Sequence, residues 1–328
     1  MAQSLISLGA NLGNARSLIT LAGEQLLQRF GADNVRFSRL YRSPAIGGPE
    51  GQADFFNAVA TLRSGLSAFQ VWQQLHEIEQ GLGRQRRHRW EARRIDLDVL
   101  LHEDERIWTP KLKIPHPRMH IRTFVLEPAS EIAGDWIDPV TGSSLQTLAA
   151  RLRASSSSPA PSHGWPRILI LVDDRDLMAK FEESWSYSAE GLVADHGLTL
   201  GWIKLLLVPR LSRQQLPVEQ DAYRRNLSLA LSPWLDERLN LLAYAGASPD
   251  PTTVLWEDFC RPWAELLGMI GHRPAGLASD EEQSRNFAAV PKYLLAGDDP
   301  AWAFHEVQAA LAAMRCQIYP CGSFFASG

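Results

Sequence analysis

The feature that most constrains the fold is a run of small and polar residues with two prolines, ASSSSPAPSHG, at positions 154–164. Such a run buries too little apolar surface to stay folded, so it predicts a flexible linker. The chain has 328 residues. Single hydrophobic cores rarely grow beyond about 250 to 300 residues. We therefore predict two domains, one at 1–153 and one at 165–328.

Strand-like and helix-like segments alternate in the N-terminal domain. Alternation with period two predicts four strands, and apolar residues at helical spacing predict two helices. In chain order these are Ser4–Leu8, helix Arg16–Phe30, Arg36–Tyr41, Phe56–Arg63, helix Ala68–Leu82 and Ile95–Leu101. The order β-α-β-β-α-β favours an α+β fold with one antiparallel sheet, the ferredoxin-like arrangement, and extra elements between Leu112 and Leu152.

The C-terminal domain has a different pattern, in which continuous apolar runs are separated by helical stretches. This pattern is typical of a parallel sheet covered on both faces, so we predict an α/β domain. A last helix is predicted with Asp299 as its cap and Pro300 in its first turn. The predicted strands are Ile168–Val172, Trp202–Val208, Leu239–Tyr244, Tyr293–Ala296 and Gln317–Tyr319.

Composition narrows the classes of function and location. The formal net charge of -4 and the pI near 6.2 give no global attraction to nucleic acid or anionic membranes. We therefore predict neither of these partners. Three cysteines are too few for a disulfide framework, and the chain shows neither a secretory signal nor a membrane-spanning apolar run. We expect a cytoplasmic location.

Two aspartates share one face of the last N-terminal strand. In IDLDVL, at 95–100, alternation turns the apolar residues towards a core and Asp96 and Asp98 to the other face. Their Cα atoms are then about 7 Å apart, which is two strand steps of about 3.3 Å. Paired carboxylates at this spacing suit divalent metals bridged by phosphate oxygens. An isolated D-x-D pair is more often a solvated strand face.

An arginine-rich stretch precedes the aspartates. RQRRHRWEARR, at 84–94, holds six arginines in eleven residues. Their repulsion makes structural sense where a polyanion or the aspartates compensate it. A triphosphate site needs such groups, because phosphoryl transfer is catalysed mainly by positioning and charge neutralisation. Trp90 in this loop would close over a flat ligand. The alternative is a basic surface loop that contacts RNA.

Two further segments complete a candidate site. In YRSPAIGGPEGQADFFNAV, at 41–59, Asn57 offers an amide donor and a carbonyl acceptor that would read the edge of a heterocycle such as a pterin. In IPHPRMHIRTF, at 114–124, His116 is fixed between prolines, Arg122 adds charge and Phe124 adds an aromatic face. Taken alone, each segment is better explained as a turn or a loop.

Together these segments resemble the hydroxymethyldihydropterin pyrophosphokinase family, over about residues 3–150. The most specific stretch is WEARRIDLD, at 90–98, although the family often has Gly-Pro where this chain has Glu91 and Ala92. The resemblance implies transfer of pyrophosphate from ATP to 6-hydroxymethyl-7,8-dihydropterin in folate biosynthesis. The other landmarks, in the family's order, are Gly9, Asn11, Leu12, Arg42, Ser43, Pro44, Phe55, Asn57, Glu79, Gly83, Arg84, Pro115, His116, Arg122 and Phe124.

The resemblance also implies roles for individual residues. Asp96 and Asp98 would hold two Mg²⁺ ions, and Arg84 and Arg93 would act on the transition state. The residues implied in ATP binding are Gln73, Glu79, Arg86, His116 and Arg122. The residues implied in pterin binding are Ser43, Pro44, Ala45 and Asn57, with Phe55 and Phe124 on either side of the ring and Trp90 closing the site.

The C-terminal domain has no assigned chemistry. Residues 294–314 faintly resemble the end of deoxynucleoside-kinase-like domains, but the chain has no G-x-x-x-x-G-K-[ST] loop. Residues 165–328 are too few for a (β/α)₈ barrel of about 250 residues, which disfavours a fused dihydropteroate synthase. We favour self-association or docking of another folate enzyme. For the whole chain, a catalytically inactive scaffold and a nucleic-acid-binding protein stay open as alternatives.

Overall fold

In the computed structural model the chain forms two compact units. The first unit comprises Met1–Ser156 with Ala309–Gly328, and the second comprises Ser157–Gln308. The last residues thus belong to the first unit, whereas the sequence had placed them in the C-terminal domain. The structure describes residues 1–46, 51–84, 93–109, 111–157, 167–172, 175–184, 203–207, 239–245, 291–295 and 299–325.

The described part of the first unit contains an antiparallel sheet and four helices. The strands of the sheet are β1 (Ala2–Ala10), β2 (Val35–Phe37), β3 (Tyr41–Ser43), β4 (Phe55–Ser64), β5 (Asp96–His102) and β12 (Tyr319–Pro320). The helices are α1 (Ala15–Phe30), α2 (Ala68–Gly81), α3 (Thr123–Ala133) and α4 (Leu145–Ser157). A separate hairpin pairs β6 (Ile107–Trp108) with β7 (Lys113–Ile114). Since α4 ends at Ser157, the first residues of the predicted linker are helical.

The sheet has the order β12-β3-β4-β1-β5, and β2 also pairs with β4. β1 is antiparallel to both β4 and β5. The predicted succession of strands and helices is present, but the predicted second strand is divided into β2 and β3. The division lies at Ser38, whose hydroxyl accepts the Val59 amide at 3.0 Å. A side chain therefore replaces a backbone carbonyl in the ladder at that point.

The main core of the first unit lies between the sheet and helices α1 and α2. Ile6 and Leu8 of β1 and Ala60 of β4 face this core together with Ile19 of α1. Strand residues of the opposite parity, such as Val59, point to the other face. There α3 packs against β3 and β4.

The described strands of the second unit are β8 (Arg167–Val172), β9 (Ile203–Leu207), β10 (Leu239–Ala245) and β11 (Lys292–Leu294). They pair in the order β11-β10-β8-β9, and each pair is parallel. Residues 175–184 are helical. Helix α5 spans Pro300–Met314, and its residues from Ala309 onward belong to the first unit. Within the described ranges, no helix has the length and apolar character needed to cross a membrane.

The predicted strand Gln317–Tyr319 does not belong to this parallel sheet. Tyr319–Pro320 forms β12 instead and pairs antiparallel with β3 of the first unit. The prediction was wrong because a short apolar run carries no information about which sheet edge it joins.

A buried contact between a carboxylate and a histidine stabilises the connection between α3 and α4. Asp138 and His120 are 0% and 3% exposed, and His120 Nε2 lies 3.2 Å from Asp138 Oδ2. The Thr141 amide and hydroxyl donate to the same oxygen at 2.8 and 2.6 Å. Burial alone would raise the pKa of Asp138, but His120 and Thr141 hold it below its usual value.

We expect Asp138→Asn to lower the free energy of unfolding by about 2 kcal/mol at pH 7, because the buried oxygen that accepts the Thr141 amide and hydroxyl loses its charge. A carboxyl with a lowered folded-state pKa stabilises the protein above its unfolded pKa of about 3.9, and this stability is lost as pH falls through the folded-state pKa. Urea unfolding of both proteins at pH 7 and near pH 3 measures the difference. Equal unfolding free energies at pH 7 would refute the prediction.

Candidate active site

The candidate site lies on the sheet face opposite the core formed with α1 and α2. Residues directly opposite each other in neighbouring strands share a face. Gly9 of β1 is paired with Asn57 of β4 and with Asp96 of β5, and Ser7 is paired with Asp98. A Cβ at Gly9 would lie 3.4 Å from Asn57 Oδ1. Because Gly9 has no side chain, the sheet surface between the Asn57 amide and the Asp96 carboxylate is not covered at this position.

β5 separates its residues between the two faces as predicted. Ile95, Leu97 and Val99 are 0%, 4% and 3% exposed. The side chains of Asp96 and Asp98 are 16% and 33% exposed. Both carboxylates are therefore accessible on the face that carries Asn57.

Two guanidinium groups converge on Asp96. Arg84 Nη2 lies 2.7 Å from Asp96 Oδ1, and Arg93 Nη1 pairs with Asp96 Oδ2. Arg84 also pairs with Glu79, a fully buried residue of α2. Glu79 Oε1 accepts the Leu97 amide at 2.7 Å. One buried carboxylate thus links α2, the backbone of β5 and the arginine that faces Asp96.

His116 lies beside Asp98 because of an irregularity in β5. The register between β1 and β5 shifts so that Leu100 has no partner, and its carbonyl accepts the His116 amide at 2.9 Å. His116 Nε2 is 3.7 Å from Asp98 Oδ2. Its Nδ1 accepts the Arg118 amide at 3.2 Å, so the neutral ring carries its proton on Nε2. His116 is therefore a neutral hydrogen-bond donor next to Asp98.

Arg122 adds a partly buried cation at the start of α3. Burial, with repulsion from Arg118, lowers the pKa of Arg122 to about 10, while Asp98 and Asp96 act in the opposite direction. Arg122 thus stays charged at neutral pH. Its guanidinium carbon is 5.6 Å from the ring centroid of Phe124, which is a cation–π distance.

We expect His116 to stay neutral between about pH 6 and pH 8. Burial, followed by repulsion from Arg122 and Arg118, holds the pKa of His116 well below its usual value. The unfolded chain then binds its proton first, so the free energy of unfolding falls as pH drops below about 6.5 towards the folded-state pKa. The ring resonances of His116, assigned by their loss in His116→Gln, should not titrate near pH 6.5 by NMR. A midpoint near 6.5 would contradict this expectation.

Comparison with known proteins agrees with the family resemblance of the sequence motifs. Residues 5–134 match the family model of 7,8-dihydro-6-hydroxymethylpterin-pyrophosphokinase. The chain is 37% identical over 194 residues to the 2-amino-4-hydroxy-6-hydroxymethyldihydropteridine pyrophosphokinase of Synechocystis sp., covering 59% of this chain and 92% of that protein. It is 38% identical over 139 residues to the protein of the same name from Haemophilus influenzae, covering 42% of this chain and 86% of that protein.

The chain belongs to the hydroxymethyldihydropterin pyrophosphokinase family. A crystal structure of HPPK-DHPS in complex with substrates matches 89% of this chain and 66% of its own, with 10% sequence identity and a TM-score of 0.39. At that score the likeness supports no argument about this pyrophosphokinase.

The fold of this pyrophosphokinase brings together most of the residues predicted for phosphate and metal binding. They form two groups on one face of β5. Ion pairs join Glu79, Arg84, Asp96 and Arg93, and the neutral ring of His116 lies beside Asp98. Arg86 and Trp90 lie outside the described residues. The individual role of each residue stays a prediction.

The residues predicted for the pterin lie at the other end of the same face. Asn57 Nδ2 donates to Ser43 Oγ at 2.9 Å, and both side chains are buried. Ser43 pairs with Phe55 across β3 and β4. Pro44, the next residue, is exposed, and Ala45 is half-buried. Phe124 is half-buried in the first turn of α3.

The position of Gln73 differs from that of the other predicted ATP-binding residues. Gln73 is exposed on α2. It lies six positions before Glu79, which corresponds to about 120° around a helix.

His76, which the sequence reasoning missed, lies one turn before Glu79, and its Nδ1 is 3.1 Å from Glu79 Oε2. The i, i+3 spacing from Glu79 was the signal that could have found it.

Asn11 was noted only as a family landmark, but it connects two loops of the site. Its side-chain amide donates to Gln52 Oε1 at 3.3 Å and to the Ala53 carbonyl at 3.2 Å. Its Oδ1 accepts the Arg93 amide at 2.7 Å, and its own amide donates to the Arg93 carbonyl at 3.0 Å. Asn11 therefore fixes the backbone from which Arg93 reaches Asp96.

Proposed function

We propose that the chain transfers the pyrophosphoryl group of ATP to 6-hydroxymethyl-7,8-dihydropterin, giving AMP and the pterin diphosphate, in folate biosynthesis. The pyrophosphokinases named above support this assignment. The observation that carries it is the convergence of Arg84 and Arg93 on Asp96, one strand away from Gly9 and two from Asn57. An anion-binding end and a heterocycle-binding end thus share one face of the sheet.

Asp96 and Asp98 fit a metal that is shared with the nucleotide. Among the described residues no group of three or more His, Cys, Asp or Glu could hold a metal. Mg²⁺ is usually bound through one or two carboxylates plus substrate phosphates, so a pair of carboxylates suits it. We propose two Mg²⁺ ions at this pair. Asp96 and Asp98 would hold them, and the ions would supply positive charge against the phosphates during transfer.

The chain's own residues neutralise and orient the triphosphate. Arg84 and Arg93 already point into the site, and phosphate oxygens would replace the carboxylate of Asp96 as their partners. Glu79 holds Arg84 from the side away from Asp96 and keeps the guanidinium in place during this exchange. His116 would donate through Nε2, and Arg122 would supply a partly buried positive charge. Arg86 is also proposed to neutralise the triphosphate, and Glu79 and Gln73 are proposed to make supporting contacts near the nucleotide.

The pterin is proposed to bind next to the paired Ser43 and Asn57. Asn57 would present its remaining hydrogen-bonding groups to the edge of the ring, with Pro44 and Ala45 beside it. Phe55 and Phe124 would cover the two faces of the ring, and Trp90 would close the site. The hydroxymethyl oxygen would then attack the β-phosphorus in line as AMP leaves, without a covalent enzyme intermediate.

The remaining inferences concern architecture and the second unit. We infer a ferredoxin-like core for the first unit, which the order β3-β4-β1-β5 supports, and an α/β architecture for the second, which its parallel strand pairs support. The proposed role of the second unit is self-association or docking of another folate enzyme. A catalytically inactive scaffold is the alternative for the whole chain.

The deciding experiment is AMP release from ATP by the full-length protein, with and without 6-hydroxymethyl-7,8-dihydropterin and Mg²⁺. We expect AMP only when both are present. A folded protein that binds the pterin but releases no AMP would favour the scaffold. Binding to RNA that weakens steeply with salt, with no AMP formed, would favour a nucleic-acid-binding protein.

A further inference from the structure

The C-terminal segment Cys316–Phe325, called the tail below, completes the sheet of the first unit. Its strand β12 pairs with β3, with Tyr319 opposite Arg42 and Pro320 opposite Tyr41. The Cys321 amide donates to the Leu40 carbonyl at 2.7 Å, and the Leu40 amide donates to the Gly322 carbonyl at 3.1 Å. β3 would otherwise be an edge strand of only three residues. The tail therefore supplies the outer partner of β3.

The end of the tail is anchored in the main core. Phe324 is 6% exposed and belongs to the core formed with α1 and α2. Its ring stacks on Phe37 with centroids 4.2 Å apart, and Phe325 meets Phe37 edge-on at 5.3 Å. A Cβ at Gly23 of α1 would lie 2.8 Å from Phe324 Cζ. A glycine, which is disfavoured inside a helix, thus makes room for this ring.

The chain just before the tail is held at the start of α3, next to residues of the site. The Thr123 hydroxyl donates to the carbonyl of Met314, the last residue of α5, at 2.9 Å in a buried position. Thr123 stands between Arg122 and Phe124. Cys316 is buried, and burial raises the pKa of its thiol to about 11, an effect that a hydrogen bond with Ser43 partly offsets. The chain thus passes from the site face, along the edge of β3, into the core on the opposite face.

We propose that the tail is a positioning element for the pterin end of the active site. The tail fixes β3 from outside, β3 carries Ser43, and Ser43 accepts the hydrogen bond that orients Asn57. The site is thereby assembled from residues that are more than 250 positions apart in the sequence. This inference rests on the proposed pterin binding. It predicts that loosening the tail weakens pterin binding and spares ATP binding, because Asp96 and its arginines lie on the opposite side of β4 and β1.

The first test removes one hydrogen bond of β12 in the full-length protein. Cys321→Pro deletes the amide that donates to Leu40, whereas Cys321→Ala retains it. Binding of 6-hydroxymethylpterin, with Mg²⁺ and a non-hydrolysable ATP analogue present, is measured by calorimetry, and binding of the analogue is measured alone. We expect the pterin Kd to rise about fivefold or more in Cys321→Pro. The loss of one hydrogen bond is worth about 1 kcal/mol, and in this proposal that loss passes through β3 to Ser43 and the pterin. The analogue Kd should stay within about twofold, and Cys321→Ala should match the wild type.

The second test separates positioning from loss of stability. Phe324→Ala and Leu26→Ala both remove a large buried side chain from the same core, and each should lower the Tm by several degrees. Only Phe324→Ala should weaken pterin binding, measured well below either Tm. Equal pterin affinity in Phe324→Ala and wild type, an equal loss in Leu26→Ala, or a parallel loss of analogue binding would overturn the proposal. If the wild type itself binds no pterin, the proposed function is wrong, and the inference about the tail is wrong with it.

Discussion

Asp96→Asn is expected to lower kcat for AMP formation by about a thousandfold or more. The substitution keeps the shape of the side chain but removes the charge that would hold Mg²⁺ and order the phosphates. A single arginine that stabilises the charge in phosphoryl transfer is worth about 10³ to 10⁵ in kcat, and we expect the loss of the metal to be of a similar order. Asp98→Asn should act in the same direction, because both carboxylates lie on one face of β5. Initial rates at saturating ATP, pterin and Mg²⁺ are the measurement.

Asp104→Asn is the matched control for this prediction. Asp104 is an exposed aspartate in the turn after β5, so the same loss of charge should leave kcat within about twofold. Asp96→Asn also leaves Arg84 and Arg93 without their shared carboxylate, so thermal unfolding must show that the variant is folded at the assay temperature. A folded Asp96→Asn protein with a kcat within tenfold of the wild type would remove Asp96 from the metal site.

Arg93→Ala is expected to lower kcat by about 10² to 10³ with little change in stability. Its guanidinium would neutralise charge that develops during transfer, as an arginine does in related phosphoryl-transfer sites. The Arg93 side chain is 36% exposed, and removing a side chain at that exposure should cost less than about 1 kcal/mol. Asn11 bonds to the backbone of Arg93, at its amide and its carbonyl. The loop should therefore keep its course in the alanine variant.

Arg94→Ala provides the comparison for Arg93→Ala. Arg94 is the next residue along the same loop and is exposed. We expect its replacement to change kcat by less than about threefold, since general screening of charge by a surface arginine is weak. Rates measured at two salt concentrations, together with the Tm of each variant, distinguish a specific role of Arg93 from a general effect of net charge. If Arg94→Ala loses as much activity as Arg93→Ala, the loop acts through net charge and the assigned role of Arg93 is wrong.

The strands and helices of the first unit were largely predictable because their signals are local. Alternation in IDLDVL was enough to place Asp96 and Asp98 on one face, since side-chain direction in a strand repeats every two residues. The helix α2 was equally clear, and it begins at Ser67 with a capping box to Gln70. The resemblance named both Glu79 and Gln73 near the nucleotide, but Glu79 is buried in α2 and Gln73 is exposed.

Several features of the site depend on contacts that have no local signal. The bulge at Leu100 that receives the His116 amide arises from the pairing of β1 with β5. Arg84 and Arg93 are nine positions apart in the sequence and pair with the same aspartate. Neither the register of a strand nor the partner of a long charged side chain can be read from neighbours in sequence.

By itself, then, the sequence determined the order of the main strands and helices of the first unit, which face of β5 is charged, and which family the arginine and aspartate motif resembles. Only the tertiary structure decided that Cys316–Phe325 belongs to the first unit, beside β3 and against Gly23. The physical reason is that periodicity reports how a segment meets its nearest neighbours. The choice of sheet edge and core for a distant segment is made by burial and backbone pairing in the folded chain.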